Sequence, residues 1–124
     1  MKVYVRKLFK HDITHEVSIL VSIIKSFFED DYGYHTFVKK GDKTCHKYKV
    51  NFNTAKDARF GGDFKSIYKD DNACVGDFLI IRKIESHLYE FSIVQRGSQI
   101  YDNVARFFPG PRDRHALVEE NQVY

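Results

Sequence analysis

A chain of 124 residues with 43% hydrophobic and 15% aromatic content can fill one core, and a single main domain is expected. Its most apolar run, Val17 to Phe28, is broken by Ser18, Ser22 and Lys25, and no signal-peptide pattern opens the sequence, so a cytoplasmic protein without a membrane partner is expected. A net charge of +3 is mild for a polyanion binder, and two cysteines without CxxC spacing speak against a zinc finger.

In chain order, Lys2 to Phe9 alternates Val3 and Val5 with Lys2 and Arg6, which predicts a half-buried strand. Asp12 or Thr14 can cap a following helix, and Val17, Leu20, Val21, Ile24 and Phe28 fall at three- and four-residue spacing, which predicts a buried helix over 15–29. Tyr34 to Lys40 and Thr44 to Phe52 read as two strands joined at Gly41-Asp42. Asn51 to Arg59 is polar and turn-prone. Phe64 to Tyr68 is either one helical turn or irregular.

Gly76-Asp77 introduces Phe78 to Ile84, whose unbroken apolar start predicts a strand buried on both faces. Leu88 to Val94 follows a short turn around Glu85-Ser86-His87 and completes a hairpin. Ser98 to Phe108 carries Ile100, Val104, Phe107 and Phe108 at helical spacing and stops at Pro109-Gly110-Pro111. The expected organisation is a domain over 1–111 and a weakly held extension over 112–124. The class is α+β: an antiparallel sheet, able to curl into a barrel, with two covering helices.

Charge is segregated along the chain. Lys2, Arg6, Lys7 and Lys10 open it without an acid, and Lys39, Lys40, Lys43, Lys47 and Lys49 cluster with Asp42 alone among them. Acids gather at Glu29-Asp30-Asp31, Asp70-Asp71 and Glu119-Glu120, a layout that points one basic face at a polyanion.

The chemistry of catalysis is poorly represented. GxSxG, HExxH, Walker and GxGxxG patterns are absent. Asp63-Phe64-Lys65 with Asp57 or Asp77 is the best carboxylate and lysine set for a magnesium-dependent nuclease, and such a D-x-K pattern is common by chance. His11 and His15 stand four apart with no third ligand suggested by spacing. No catalytic residue, metal or cofactor is assigned, and no small-molecule substrate is expected.

Duplex recognition needs cations for phosphates and planar or amide side chains for base edges. Two polar segments supply both. The first holds Arg6, Lys7, Lys10, His11, Asp12 and Thr14; the second, entered through Lys49, holds Asn51, Asn53, Thr54, Lys56, Asp57 and Arg59. Arginine suits guanine, asparagine adenine, and aspartate the cytosine amino group.

Ala58-Arg59-Phe60-Gly61-Gly62-Asp63-Phe64, then Val75 to Lys83 with its Gly-Asp opening, then Leu88 to Val94 together resemble the B-three-like pseudobarrel DNA-recognition domains of restriction endonucleases, of the EcoRII N-terminal and BfiI C-terminal type. Tyr4 to Asp12 is similar to that family's first strand, and together these stretches cover about half the chain. The resemblance implies a mainly antiparallel, seven-stranded open pseudobarrel with two arms that grip the major groove of double-stranded DNA. The N-arm would be Arg6 to Thr14 and the C-arm Asn51 to Arg59. The polar, glycine-rich insertion that often follows the first strand in these enzymes is missing.

The function so implied is sequence-specific binding beside a nuclease domain or subunit that would do any cutting. Lys2, Lys7, Lys10, Lys47 and Lys49 are then expected on phosphates, and Arg6, His11, Asn53, Lys56, Asp57 and Arg59 on bases. Two other readings stand beside it: a small nuclease using Asp63, Asp77 and Lys65, and a protein-interaction module presenting Tyr32, Tyr34 and Tyr48.

Overall fold

A computed structural model describes residues 1–14, 17–20, 27–28, 32–42, 45–51, 57–61 and 63–124; for residues 18–20, 32, 51 and 57–60 the description is of the main chain. The described strands are β1 (Lys2–Lys7), β2 (Val17–Leu20), β3 (Tyr32–Lys39), β4 (Cys45–Asn51), β5 (Asp57–Phe60), β6 (Phe78–Glu85), β7 (Leu88–Val94) and β8 (His115–Glu119). The described helices are α1 (Lys10–Ile13), α2 (Phe64–Asp70) and α3 (Gln99–Ala105), followed near the C-terminus by a 3-10 turn, Glu120–Gln122.

Among the described residues the strands form an open six-stranded sheet, β4-β3-β7-β6-β1-β8, and a separate two-stranded ribbon, β2-β5. The class is α+β as expected. The sheet is mixed rather than antiparallel throughout, because β3 runs parallel to β7, with Thr36 opposite Leu88 and Lys39 opposite Phe91.

The sheet is buried on both faces, so alternation in β1 sorts residues between two cores instead of between core and water. One face packs Tyr4, Phe27, Phe28, Phe37, Phe64, Tyr68, Tyr89 and Phe91 into an aromatic core. The other packs Val3, Val5, Ile80, Val94, Val118 and Val123 against Val104 of α3, with Phe78 and Phe108 beside them. Phe78, Leu79, Ile80 and Ile81 are all buried, as the apolar opening of β6 predicts. The β6–β7 hairpin holds its expected register, Phe78 opposite Val94 and Ile81 opposite Phe91. Ser98 caps α3 by accepting from the Tyr101 amide at 3.1 Å.

Three sequence-based expectations are corrected. The helix expected over 15–29 is a strand over 17–20, antiparallel to β5 with Val17 opposite Phe60 and Leu20 opposite Asp57. Val17 and Ile19 are β-branched, and a partner strand about forty residues later outweighs the helical spacing of a short apolar run. Residues 21–26 lie outside the described residues, and Phe27 and Phe28 are buried in non-helical backbone.

The polar stretch 51–59 ends in that partner strand, which pairs with β2 along one edge. The tail beyond Pro111 is also no loose extension. β8 pairs antiparallel with β1, the Glu120 amide donates to the Met1 carbonyl at 2.7 Å, and Val118 and Val123 are buried.

Phe64, Ile67 and Tyr68, at the one-, four- and five-spacing of a helix face, are buried and make α2 a true helix. It is entered through Gly61, at φ +71°, where an added Cβ would stand 2.3 Å from the Phe64 ring. Among the described residues no helix is long and apolar enough to cross a membrane.

Candidate nucleic-acid interface

The first predicted arm begins where β1 ends. Lys7 is the last strand residue, Leu8 plugs the aromatic core, and Phe9 starts the single turn of α1. Asp12 reaches back across that turn, and its Oδ2 accepts the Phe9 amide at 2.7 Å. Its Oδ1 accepts from Arg6 Nη2 at 2.5 Å, within a pair whose side chains are only 5% and 6% exposed.

Arg6 Nη1 meets Nε2 of His115 at 2.7 Å, and the other nitrogen of that ring bonds the Tyr4 hydroxyl. A guanidinium can only donate, so Nε2 accepts and His115 is neutral in this arrangement. The chain Tyr4, His115, Arg6, Asp12 therefore runs from β8 through β1 to α1. Each member has a partner, while Arg6 Nε is buried without one among the described residues, so the ion pair is only partly compensated.

Arg6 and Asp12, expected at the DNA surface, are buried and face inward in this structure. Burial first, then the nearby Asp12 carboxylate, pushes the Tyr68 hydroxyl well above the usual tyrosine range, with Arg6 opposing; Tyr68 stays protonated beneath α1.

The buried pair ties the start of α1 to β1, and the neighbouring residues of the segment face outward. Lys10, His11 and Thr14 are exposed, and the Thr14 hydroxyl donates to the His11 carbonyl at 3.2 Å. Lys7 is half-buried, its ammonium 5.9 Å from the Phe9 ring centre. Lys2 sits at the opposite end of β1, about 16 Å away at the rise of a strand, and belongs to a different part of the surface.

The second arm is entered along β4. Cys45, Lys47 and Lys49 face out while His46, Tyr48 and Val50 turn inward, the period-two pattern of a strand with one packed side. Asn51 closes β4 opposite Tyr32, and Asp57 and Arg59 lie on β5 opposite Leu20 and Ser18. Asn53, Thr54 and Lys56 lie outside the described residues.

The ribbon is what relates the two arms. β2 starts just after Thr14 and pairs with β5, the end of the second segment, so the backbone hydrogen-bonds the exit of one arm to the exit of the other. α1 also packs against α2, and Ile13 and Thr14 share a surface groove of about 480 Å³ with Lys65, Ser66 and Lys69.

Lys65 and Lys69 were missed as neighbours of the first arm. The signal was their four-residue spacing on the face of α2 opposite Phe64 and Tyr68. Arg114 was also missed; β8 brings it beside Lys7.

The rival constellations are dispersed. Asp77 is 2% exposed, and its carboxylate closes a turn by accepting the Cys74 amide at 2.7 Å. Asp63 accepts from the Tyr48 hydroxyl at 2.5 Å and lies 3.4 Å from His46 Nδ1. Burial and that bond to Asp63 drive the Tyr48 hydroxyl far up. Among the described residues no group of three or more His, Cys, Asp or Glu side chains is placed to hold a metal ion. His15 lies outside the described residues.

Cys45 and Cys74 are not joined in a disulfide. Of the three tyrosines, Tyr34 is 66% exposed, whereas Tyr48 packs on Phe37 and Phe64, so they form no common patch; the Tyr32 side chain is outside the description.

Sheet order and ribbon make an α+β, pseudobarrel-like fold that fits the B-three type, as similar solved structures show. No protein-family model and no curated protein matches the sequence. Solved structures do. The N-terminal domain of Helicobacter pylori LlaJI.R1 superposes with a TM-score of 0.69 at 22% identity, covering 97% of this chain and 99% of that one. The FUS3–DNA complex of Arabidopsis gives 0.56 at 11%, covering 73% and 94%. The complex of the Arabidopsis thaliana transcription factor LEC2 with DNA gives 0.53 at 14%, covering 78% and 96%. At these identities the likeness is one of fold.

Proposed function

We propose that this chain binds double-stranded DNA sequence-specifically, its two arms entering the major groove, and serves as the recognition module of a restriction system whose cutting activity resides on another domain or chain. The observation that carries this reading is the β2–β5 ribbon, which joins two polar segments chosen for their base-reading chemistry in a fold shared with proteins solved bound to DNA. In this reading Lys7, Lys10, Lys47 and Lys49 hold phosphates. His11, Thr14, Asn51, Asn53, Thr54, Lys56, Asp57 and Arg59 supply the groove contacts, and Arg6 with Asp12 positions the first arm.

Selection of bound sites from a random duplex pool, followed by affinity measured against salt, tests it. The expected result is an enriched motif and a log-log salt slope on the order of −3 to −4 from four phosphate-holding cations. Arg59→Ala should relax the motif, whereas Lys2→Ala, at the far end of β1, should leave it intact. Salt-insensitive binding or none would overturn the proposal, and cleavage of bound DNA on adding magnesium would favour the nuclease reading.

A further inference from the structure

A second stretch of chain, at the start of β8, packs beside the segment Arg6 to Thr14. Register in the β1–β8 pair sets Arg6 opposite His115, which brings Arg114 level with Lys7, and the Lys7 amide donates to the Arg114 carbonyl at 2.8 Å. From there the Arg114 guanidinium lies over the Phe9 ring, 4.5 Å from its centre, while the Lys7 ammonium approaches the same ring at 5.9 Å. Phe9 is itself fixed, because its amide is held by the buried Asp12 carboxylate.

We propose that residues 112–115 complete the first arm and that Arg114 is a phosphate-binding residue of the DNA interface, an assignment that rests on the duplex-binding function above.

Three features carry it. The first is charge: Lys7 and Arg114 both approach the Phe9 ring at the start of α1, and Lys10 is the first residue of that helix. Of the acids in these segments, Asp12 is committed to Arg6, and Asp113 is engaged with the Gly110 amide at 2.8 Å. The second is availability: Arg114 is exposed and, among the described residues, no carboxylate pairs with it.

The third is preorganisation. A guanidinium resting on an aromatic face has lost part of its side-chain freedom but keeps its N–H edges open, and those edges fit two phosphate oxygens at once. Cations brought together from two stretches of chain at one place on the surface match the spacing of a phosphate backbone rather than a single base edge. An isolated arginine reaching into the groove would be the base-reading arrangement.

The test is duplex affinity as a function of salt for the wild-type chain and for Arg114→Ala, Arg114→Lys and Arg114→Glu, with site selection repeated on Arg114→Ala. Expected are a loss of about tenfold for the alanine variant on every duplex, a salt slope smaller by about one, and an unchanged motif. Lysine should keep the slope with intermediate affinity, and glutamate should lose more than alanine.

Wild-type affinity and slope in all three variants would overturn the proposal while leaving DNA binding intact. An altered motif in Arg114→Ala would overturn it too, by making Arg114 a base contact. Failure of the wild-type chain itself to bind duplex would instead remove the function on which the proposal rests.

Discussion

At the first arm the exposed cations surround an ion pair that solvent barely touches; along β4, Lys47 and Lys49 simply alternate with His46, Tyr48 and Val50. The first arrangement depends on electrostatics in a low-dielectric interior. Arg6 needs both Asp12 and His115, which come from elements 109 residues apart in the case of His115. The second depends on hydrophobic register, since an edge strand with one packed side presents every other residue to water whatever that residue is. One region is therefore set by a buried ion pair, and the other by strand register.

The sharpest way to break the comparison is Asp12→Ala. It leaves the Arg6 charge buried against His115 alone, and a loss of about 3–5 kcal/mol in denaturant unfolding is expected. The double variant Arg6→Met, Asp12→Leu should recover much of it, because two apolar groups carry no stranded charge. If Asp12→Ala unfolds like the wild type, the pair is not what holds α1.

The inward side of β4 and the buried face of α2 offer a second probe, through pH. Tyr48 and Tyr68 both hold their protons more tightly when folded than at the usual tyrosine value of about 10. Burial is the leading cause for each. The unfolded chain therefore gives up these protons first, so stability is fully present below pH about 10 and falls as pH rises beyond it. Tyr48→Phe and Tyr68→Phe should each flatten that alkaline decline, measured by thermal melting across the range. An unchanged decline would separate it from these two rings.

The smallest structural effect belongs to the outward side. Lys47→Ala with Lys49→Ala should leave stability within about 0.5 kcal/mol while lowering the salt slope of duplex binding by about two. A stability loss as large as that of Asp12→Ala would erase the distinction between the two regions.

Much of the sheet could be read from short-range pattern. β1, β3, β4, β6 and β7 follow from alternation or from an apolar run bounded by Gly and Asp, and α3 follows from its spacing and its Pro-Gly-Pro stop. The candidate site was legible as two polar segments, because the residue types that suit phosphates and bases are recognisable as such. The inward turn of Arg6 was not. At a strand end an arginine faces solvent or interior according to what lies behind it, and here that is Asp12 across one turn and His115 across the sheet.

Residue chemistry and period thus determined which stretches pair locally and which carry the cations. It took the folded chain to make 17–20 a strand, to turn Arg6 and Asp12 inward as a pair, and to set Arg114 beside Lys7 and Phe9. Each of these involves a partner dozens of residues away: β5 for 17–20, His115 for Arg6, and β1 for Arg114. Hydrogen bonds and ion pairs of that kind depend on where the chain returns, and no window of neighbouring residues contains that information.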